Sequence, residues 1–170
     1  MAQDQAIFQH TIAVLVDNDA GVLARVIGLF SGRGYNIESL TVAETDHDEG
    51  LSRITIVTSG TSMVIEQIKA QLERLVPVHR VQDLTTDGPC VERELALVKV
   101  SGTGDARVES LRLGDAFRAR VIDTTTDSFT FEITGASSKI DAFVALMGPL
   151  GLVDVSRTGI AAIKRGAESL

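Results

Sequence analysis

Between His10 and Val16 the apolar side chains alternate, with Ile12, Val14 and Val16 on one face of an extended chain and Ala13 and Leu15 on the other. That run predicts a strand buried on both sides or nearly so. The spacing then changes. After the turn Asp17-Asn18-Asp19-Ala20-Gly21, residues Val22, Val26, Leu29 and Phe30 recur at three- and four-residue steps, predicting a helix that Gly32 and Gly34 bring to an end. The turn itself supplies helix-capping side chains. Asn36 to Glu44 and Leu51 to Ser59 are β-leaning runs on either side of the acidic, glycine-containing turn Thr45 to Gly50, and together predict a hairpin. Within Met63 to Val76 the residues Ile65, Ile68, Leu72 and Leu75 predict a second helix, and Val78 to Leu84, after Pro77, a strand. The first half therefore reads βαββαβ.

The same order recurs. Glu94 to Ser101 predicts a strand, Asp105 to Phe117 a helix, and Arg120 to Thr125 with Ser128 to Thr134 a hairpin. Ile140, Phe143, Val144 and Met147 mark a helix stopped near Gly148 to Gly151, and a single last strand runs from Leu152 to about Ile163. Between the halves, Thr85 to Cys90 is polar with Gly88 and Pro89 side by side, which is linker chemistry. The expected domains are residues 1–85, a linker at 86–91, and residues 92–170. The fold class is α+β, two tandem βαββαβ domains of ferredoxin-like arrangement, each a mostly antiparallel sheet with helices on one face. Halves this small gain stability by pairing sheets with another copy, so a homodimer or larger is expected. The tail from Lys164 to Leu170 offers little apolar anchorage and is expected to be disordered.

Composition narrows the function. Of 170 residues, 44% are hydrophobic and 23% charged, enough apolar side chain for a core. The net charge of -7 provides no positive field for phosphate backbones or anionic lipid, so nucleic acid and membrane are not expected partners. Cys90 is the only cysteine, which excludes an internal disulfide and fits a reduced, cytoplasmic setting. Neither an export signal nor an apolar run of the ~20 residues a spanning helix needs is found.

Candidate chemistry concentrates in Asp17 to Gly21. A helix N-terminus presents unpaired N–H groups and roughly half a positive charge, which suits a carboxylate ligand. Asn18 could donate to an amino acid's carboxylate and accept from its ammonium, and Gly21 lets a ligand approach the backbone. A plain capped helix explains the same residues. Ala20, Ala24, Gly28 and Ser31 or Gly32 form a stripe of small residues on the helix, which fits close packing on the protein's own sheet and contact with another subunit equally well. Asn36 could reach a ligand across an interface or simply satisfy a turn. No catalytic constellation is found. His10, His47 and His79 are scattered, and His47 among Asp46, Asp48 and Glu49 reads as an exposed acidic turn rather than a metal site. Cys90 lacks an adjacent histidine or cationic cluster, and no Gly-rich phosphate loop occurs.

The run Asn18-Asp-Ala-Gly-Val-Leu-Ala-Arg-Val-Ile-Gly-Leu-Phe-Ser-Gly-Arg-Gly-Tyr-Asn-Ile-Glu-Ser-Leu-Thr41 resembles the start of acetolactate synthase small subunits, also called acetohydroxyacid synthase regulatory subunits. Leu51 to Ile56 and Val91 to Lys99 resemble later segments of the same family, so the likeness covers nearly the whole chain. The resemblance implies an N-terminal ACT domain, an amino-acid-sensing βαββαβ module, and a related C-terminal domain. It implies no intrinsic catalysis and an effector, valine and in some members also leucine or isoleucine, bound where two ACT domains meet. By that resemblance Asn18, Ala20 and Gly21, with the adjoining Asp19 and Val22, are loop contacts, and Asn36 with Ile37 comes from the facing subunit. The implied partner is a large catalytic subunit carrying thiamine diphosphate, magnesium and usually FAD, which the small subunit activates and renders sensitive to feedback inhibition. A free-standing tandem-ACT sensor acting on another regulator is the alternative.

Overall fold

The alternation at the start of the chain forms strand β1 (Phe8–Asp17), in which Ile12 and Val14 are wholly buried on one face and Ala13 on the other. Both of its faces are covered, as the two-sided apolar pattern requires. The computed structural model describes residues 6–46 and 48–170. After β1 come α1 (Val22–Arg33), β2 (Ser39–Asp46), β3 (Leu51–Gly60), α2 (Ser62–Glu73) and β4 (Val78–Asp83). Then follow β5 (Cys90–Ser101), α3 (Gly104–Ala116), β6 (Arg120–Thr124), β7 (Ser128–Gly135), α4 (Ser137–Met147), β8 (Leu152–Arg157) and β9 (Ala161–Lys164). The two sheets have the orders β2-β3-β1-β4 and β6-β7-β5-β8, with every pair along these orders antiparallel and β9 pairing β5 off the second path, so the βαββαβ repeat is present in both halves.

The chain divides into two compact units, one running to Val91 and taking back Ile160–Leu170, the other Glu92–Gly159. In the first, Val22, Val26 and Phe30 of α1 and Ile65, Ile68 and Leu72 of α2 pack on Ile12, Val14, Val16, Ile54 and Ile56. In the second, Ile140, Phe143 and Met147 of α4 pack on Ala96, Val98, Val100, Phe129, Phe131 and Ile133. Helix α3 comes close to that sheet through Gly114, where an added Cβ would lie 2.6 Å from the Phe131 ring. Gly114→Ala should therefore destabilise the second unit by about 1–3 kcal/mol through overpacking, outweighing the ~1 kcal/mol that alanine ordinarily gains over glycine in a helix. A urea titration followed by circular dichroism checks the sign.

The end of the chain departs from expectation in two ways. The single strand expected from Leu152 to Ile163 is broken into β8 and β9, with Gly159 between them at φ +83°. The chain also packs back on the first unit: Ile160 and Ala162, from the run expected to be strand, join Ala13, Val57 and Leu84 in a third apolar cluster, and Leu170, from the tail expected to be disordered, packs against it. Arg80 Nη1 donates to the carbonyl of Ser169 at 3.1 Å. Residues 160–170, placed with the second domain by sequence, thus cover the face of the first sheet that the helices leave open. Burial of three spaced apolar side chains and two arginine-to-carbonyl hydrogen bonds supply the anchorage that the tail's composition conceals.

Candidate functional site

The loop between β1 and α1 is fixed from both sides. Asp17 N–H donates to Pro77 O at 2.9 Å, Asn18 N–H to Gly50 O at 2.7 Å, and Asn18 Oδ1 accepts from Ser52 Oγ at 2.9 Å. His79 Nε2 lies 2.5 Å from Asp17 Oδ1. Gly21 is the residue before the helix and sits at φ +86°, a left-handed conformation that side-chain-bearing residues adopt at a cost of roughly 1–2 kcal/mol. No side chain caps α1 and no acidic residue lies in its first turn. The expected capping by the turn is therefore absent, because glycine occupies the capping position and the Asn18 side chain is engaged by β3. The positive end of the helix is left uncompensated by protein carboxylates in its first turn.

Beside this loop lies a cavity of about 220 Å³ lined by Asp17, Asp19, Ala20, Val22, Arg25, Val76 and Pro77. It combines a cation, two carboxylates and aliphatic surface, a set of groups that matches the two charges and side chain of an amino acid. Asp19, Ala20 and Val22 are brought together here, while Asn18 and Gly21 adjoin them in the loop. Arg25 and Val76 were not singled out from the sequence. Arg25 sits one turn into a helix where any polar residue is unremarkable, and Val76, read from the sequence as the end of the second helix, lies beyond the end of α2, 94% exposed beside Pro77.

Asn36 and Ile37 do not join this group. They follow the other end of α1, whose 12 residues span about 18 Å. Asn36 is exposed and its carbonyl accepts from Thr58 Oγ1 at 2.6 Å, and Ile37 packs on the first core. Within one protomer the two sets of candidates do not reach a common ligand. The small-residue stripe is also decided in part: Ala24, Gly28, Ser31 and Gly32 are exposed, and a Cβ added at Gly28 or Gly32 meets nothing within 4 Å. The stripe does not pack on its own sheet.

Elsewhere, His10 is buried with Nδ1 2.7 Å from Asp83 Oδ2, and the second Asp83 oxygen accepts from Thr85 N–H at 3.0 Å. These contacts pin β1 to β4. His47 lies outside the described residues. Among the described residues, no three His, Cys, Asp or Glu side chains cluster as a metal site, and no helix is long and apolar enough to cross a membrane.

Two family models match the chain: an AHAS small subunit-like ACT domain over residues 12–80, and the small subunit of acetolactate synthase over residues 93–166. The acetolactate synthase isozyme 3 small subunit of Escherichia coli is 49% identical over 159 residues, covering 93% of this chain and 96% of that protein. The acetolactate synthase small subunit of Aquifex aeolicus is 48% identical over 158 residues, covering 92% of this chain and 81% of its own length. Among solved structures, the acetolactate synthase small subunit of Thermotoga maritima superposes with a TM-score of 0.85 at 39% identity, covering 95% of this chain and 99% of that one. With that identity over nearly the whole length, both halves matched and the fold shared, the chain belongs to the acetolactate synthase small-subunit family.

Proposed function

We propose that this chain is a regulatory subunit that senses a branched-chain amino acid, valine foremost, and transmits its presence to a catalytic subunit of acetolactate synthase. One observation carries the reading: an uncapped helix N-terminus beside a cavity lined by Arg25, Asp19 and aliphatic side chains, on the family's ACT half. The effector's carboxylate is drawn to the α1 N-terminus and its ammonium to Asn18 or Asp19. Because Asn36 and Ile37 lie about 18 Å away along α1, they serve the site only from a second copy, which makes a homodimer part of the proposal. The exposed stripe on α1 and the edge strand β2, with Val42 41% exposed, offer that copy a close-approach surface. The catalytic partner would carry thiamine diphosphate, magnesium and FAD, and this chain contributes no reacting group. It raises the partner's activity and makes it responsive to valine.

Gly28→Leu tests the dimeric site. The added side chain has open space in the protomer, so far-UV circular dichroism should match the parent. Sedimentation velocity should show monomers, and calorimetric titration with valine should show binding weakened at least about tenfold, the equivalent of 1.4 kcal/mol. A Gly28→Leu chain that remains dimeric and binds valine as before rules out this surface.

A further inference from the structure

The third apolar cluster places the end of the chain where the candidate effector segments can move it. Residues on adjacent positions of a strand point to opposite faces of the sheet. On β3, Ser52 faces the effector loop and donates to Asn18 Oδ1 at 2.9 Å, while the next residue, Arg53, faces the other way and donates from Nη2 to the carbonyl of Ala162 at 2.7 Å. At the other candidate segment, Ser39 stands two residues after Ile37 and its Oγ accepts from the N–H of Ile160 at 2.9 Å. Besides its pairing with β5 and the hydrogen bond from Arg165 N–H to the carbonyl of Pro89, the segment that opens with Ile160 and forms β9 is thus held by two side chains next to the candidate effector segments. Ser39 stands two residues from Ile37, and Arg53 stands next to Ser52, the hydrogen-bond partner of Asn18.

This segment is also one of the two places where the chain passes between its units, at Gly159–Ile160; the other is Val91–Glu92. Gly159, at φ +83°, adjoins the crossing. Arg53 is a costly residue for the position: burial depresses its pKa, and its Nε is buried without a hydrogen-bond partner among the described residues. Packing alone would be served by an aliphatic side chain, so a guanidinium kept here calls for a role that uses its donor.

We propose that the Ile160–Leu170 segment is the tie through which effector binding on the first unit is felt by the second, with Arg53 and Ser39 as the positioning residues that hold it. The inference rests on the regulatory reading above and adds its route. Effector contacts that shift Asn18 or the Asn36–Ile37 segment shift Ser52–Arg53 and Ser39, and these move or release β9 and pull on the connection at Gly159. The tie has two states, docked and released, and the effector biases the choice between them.

Three variants test it in the assembled enzyme with L-valine as the probe: Arg53→Met, Ser39→Ala, and an insertion of two glycines after Gly159 that slackens the connection while leaving both anchors in place. The isolated variants should bind valine within about twofold of the parent, whereas the valine concentration for half-inhibition should rise at least about tenfold, inside the roughly 5- to 150-fold range of site-to-site coupling. Arg53→Lys, which keeps a donor, should restore much of the response. Combining Arg53→Met with Ser39→Ala should add little to either, because both act through one segment. Unchanged inhibition in Arg53→Met and in the slackened chain overturns the tie, as does a loss of valine binding that matches the loss of inhibition. A parent chain that itself binds no valine sinks the regulatory reading first, and the tie with it.

Discussion

Replacing Gly21 by Asp should raise the valine concentration needed for half-inhibition by about two orders of magnitude while leaving activation of the catalytic subunit in place. Two carboxylates about 5 Å apart at an effective dielectric near 20 repel by about 3 kcal/mol, roughly 200-fold in affinity. The position adds a second effect, because Gly21 stands at φ +86° and any side chain there strains the loop. Gly21→Asn separates the two. Asn tolerates the left-handed region about as well as Asp and carries no charge, so it should lose far less. Inhibition curves for the parent and the two variants, with activation measured in the same assays, check the outcome. Equal losses in both variants would assign the effect to backbone strain, and no loss in either removes Gly21 from the site.

Arg157→Met should destabilise the second unit by about 3 kcal/mol. Arg157 Nε and Nη2 bond the two oxygens of Glu94 at 2.9 and 2.7 Å, and Nη1 bonds Asp141 Oδ1 at 2.6 Å. Glu94 is 6% exposed, and without Arg157 its remaining bonds among the described residues are from Ser137 Oγ at 3.0 Å and the backbone of Gly159. Its carboxyl is held below the usual carboxylate range, first by the Arg157 hydrogen bond, and the same pairing raises the Arg157 pKa. A carboxylate with a depressed folded-state pKa contributes stability that is present above the unfolded value, near 4.3, and lost as pH falls through the folded value. In the variant the carboxyl is buried without a cation, so its pKa moves up instead. The gap between parent and variant should therefore be widest near pH 7 and narrow below about pH 4. Tyr35 is the only tyrosine, the chain has no tryptophan, and Tyr35 belongs to the first unit. Its emission should be little changed while far-UV circular dichroism records the lost stability.

The fold was readable where the chemistry is local. The alternation in β1, the three- and four-residue steps of α1 and α2, and the repeat of the same order after Pro89 are written in neighbouring residues, and the structure follows them to within a few positions. Even the two-sided burial of β1 was legible, although not what covers its second face. That cover is Ile160 and Ala162, whose spacing simply continues the alternation of the preceding strand. Nothing local says that Gly159 redirects the chain toward Ala13, Val57 and Leu84, which lie far away in sequence. The cap failed for a related reason: Asn18 and Asp19 are good capping residues, but the side chain of Asn18 is claimed by Ser52, 34 residues on. Arg25 and Val76 meet only because the turn after α2 returns to the start of α1. The resemblance to a family supplied what composition and spacing could not, a reason to propose an effector loop where an ordinary turn explains the same residues.

The most direct measurement is the rate of acetolactate formation by the same organism's catalytic subunit, with and without this chain, across a valine titration. The regulatory account expects a rate increase on adding the chain and a progressive loss of that activity as valine rises. A rate unaffected by the chain, and unresponsive to valine in its presence, would contradict it and point to a free-standing amino-acid sensor with a different partner.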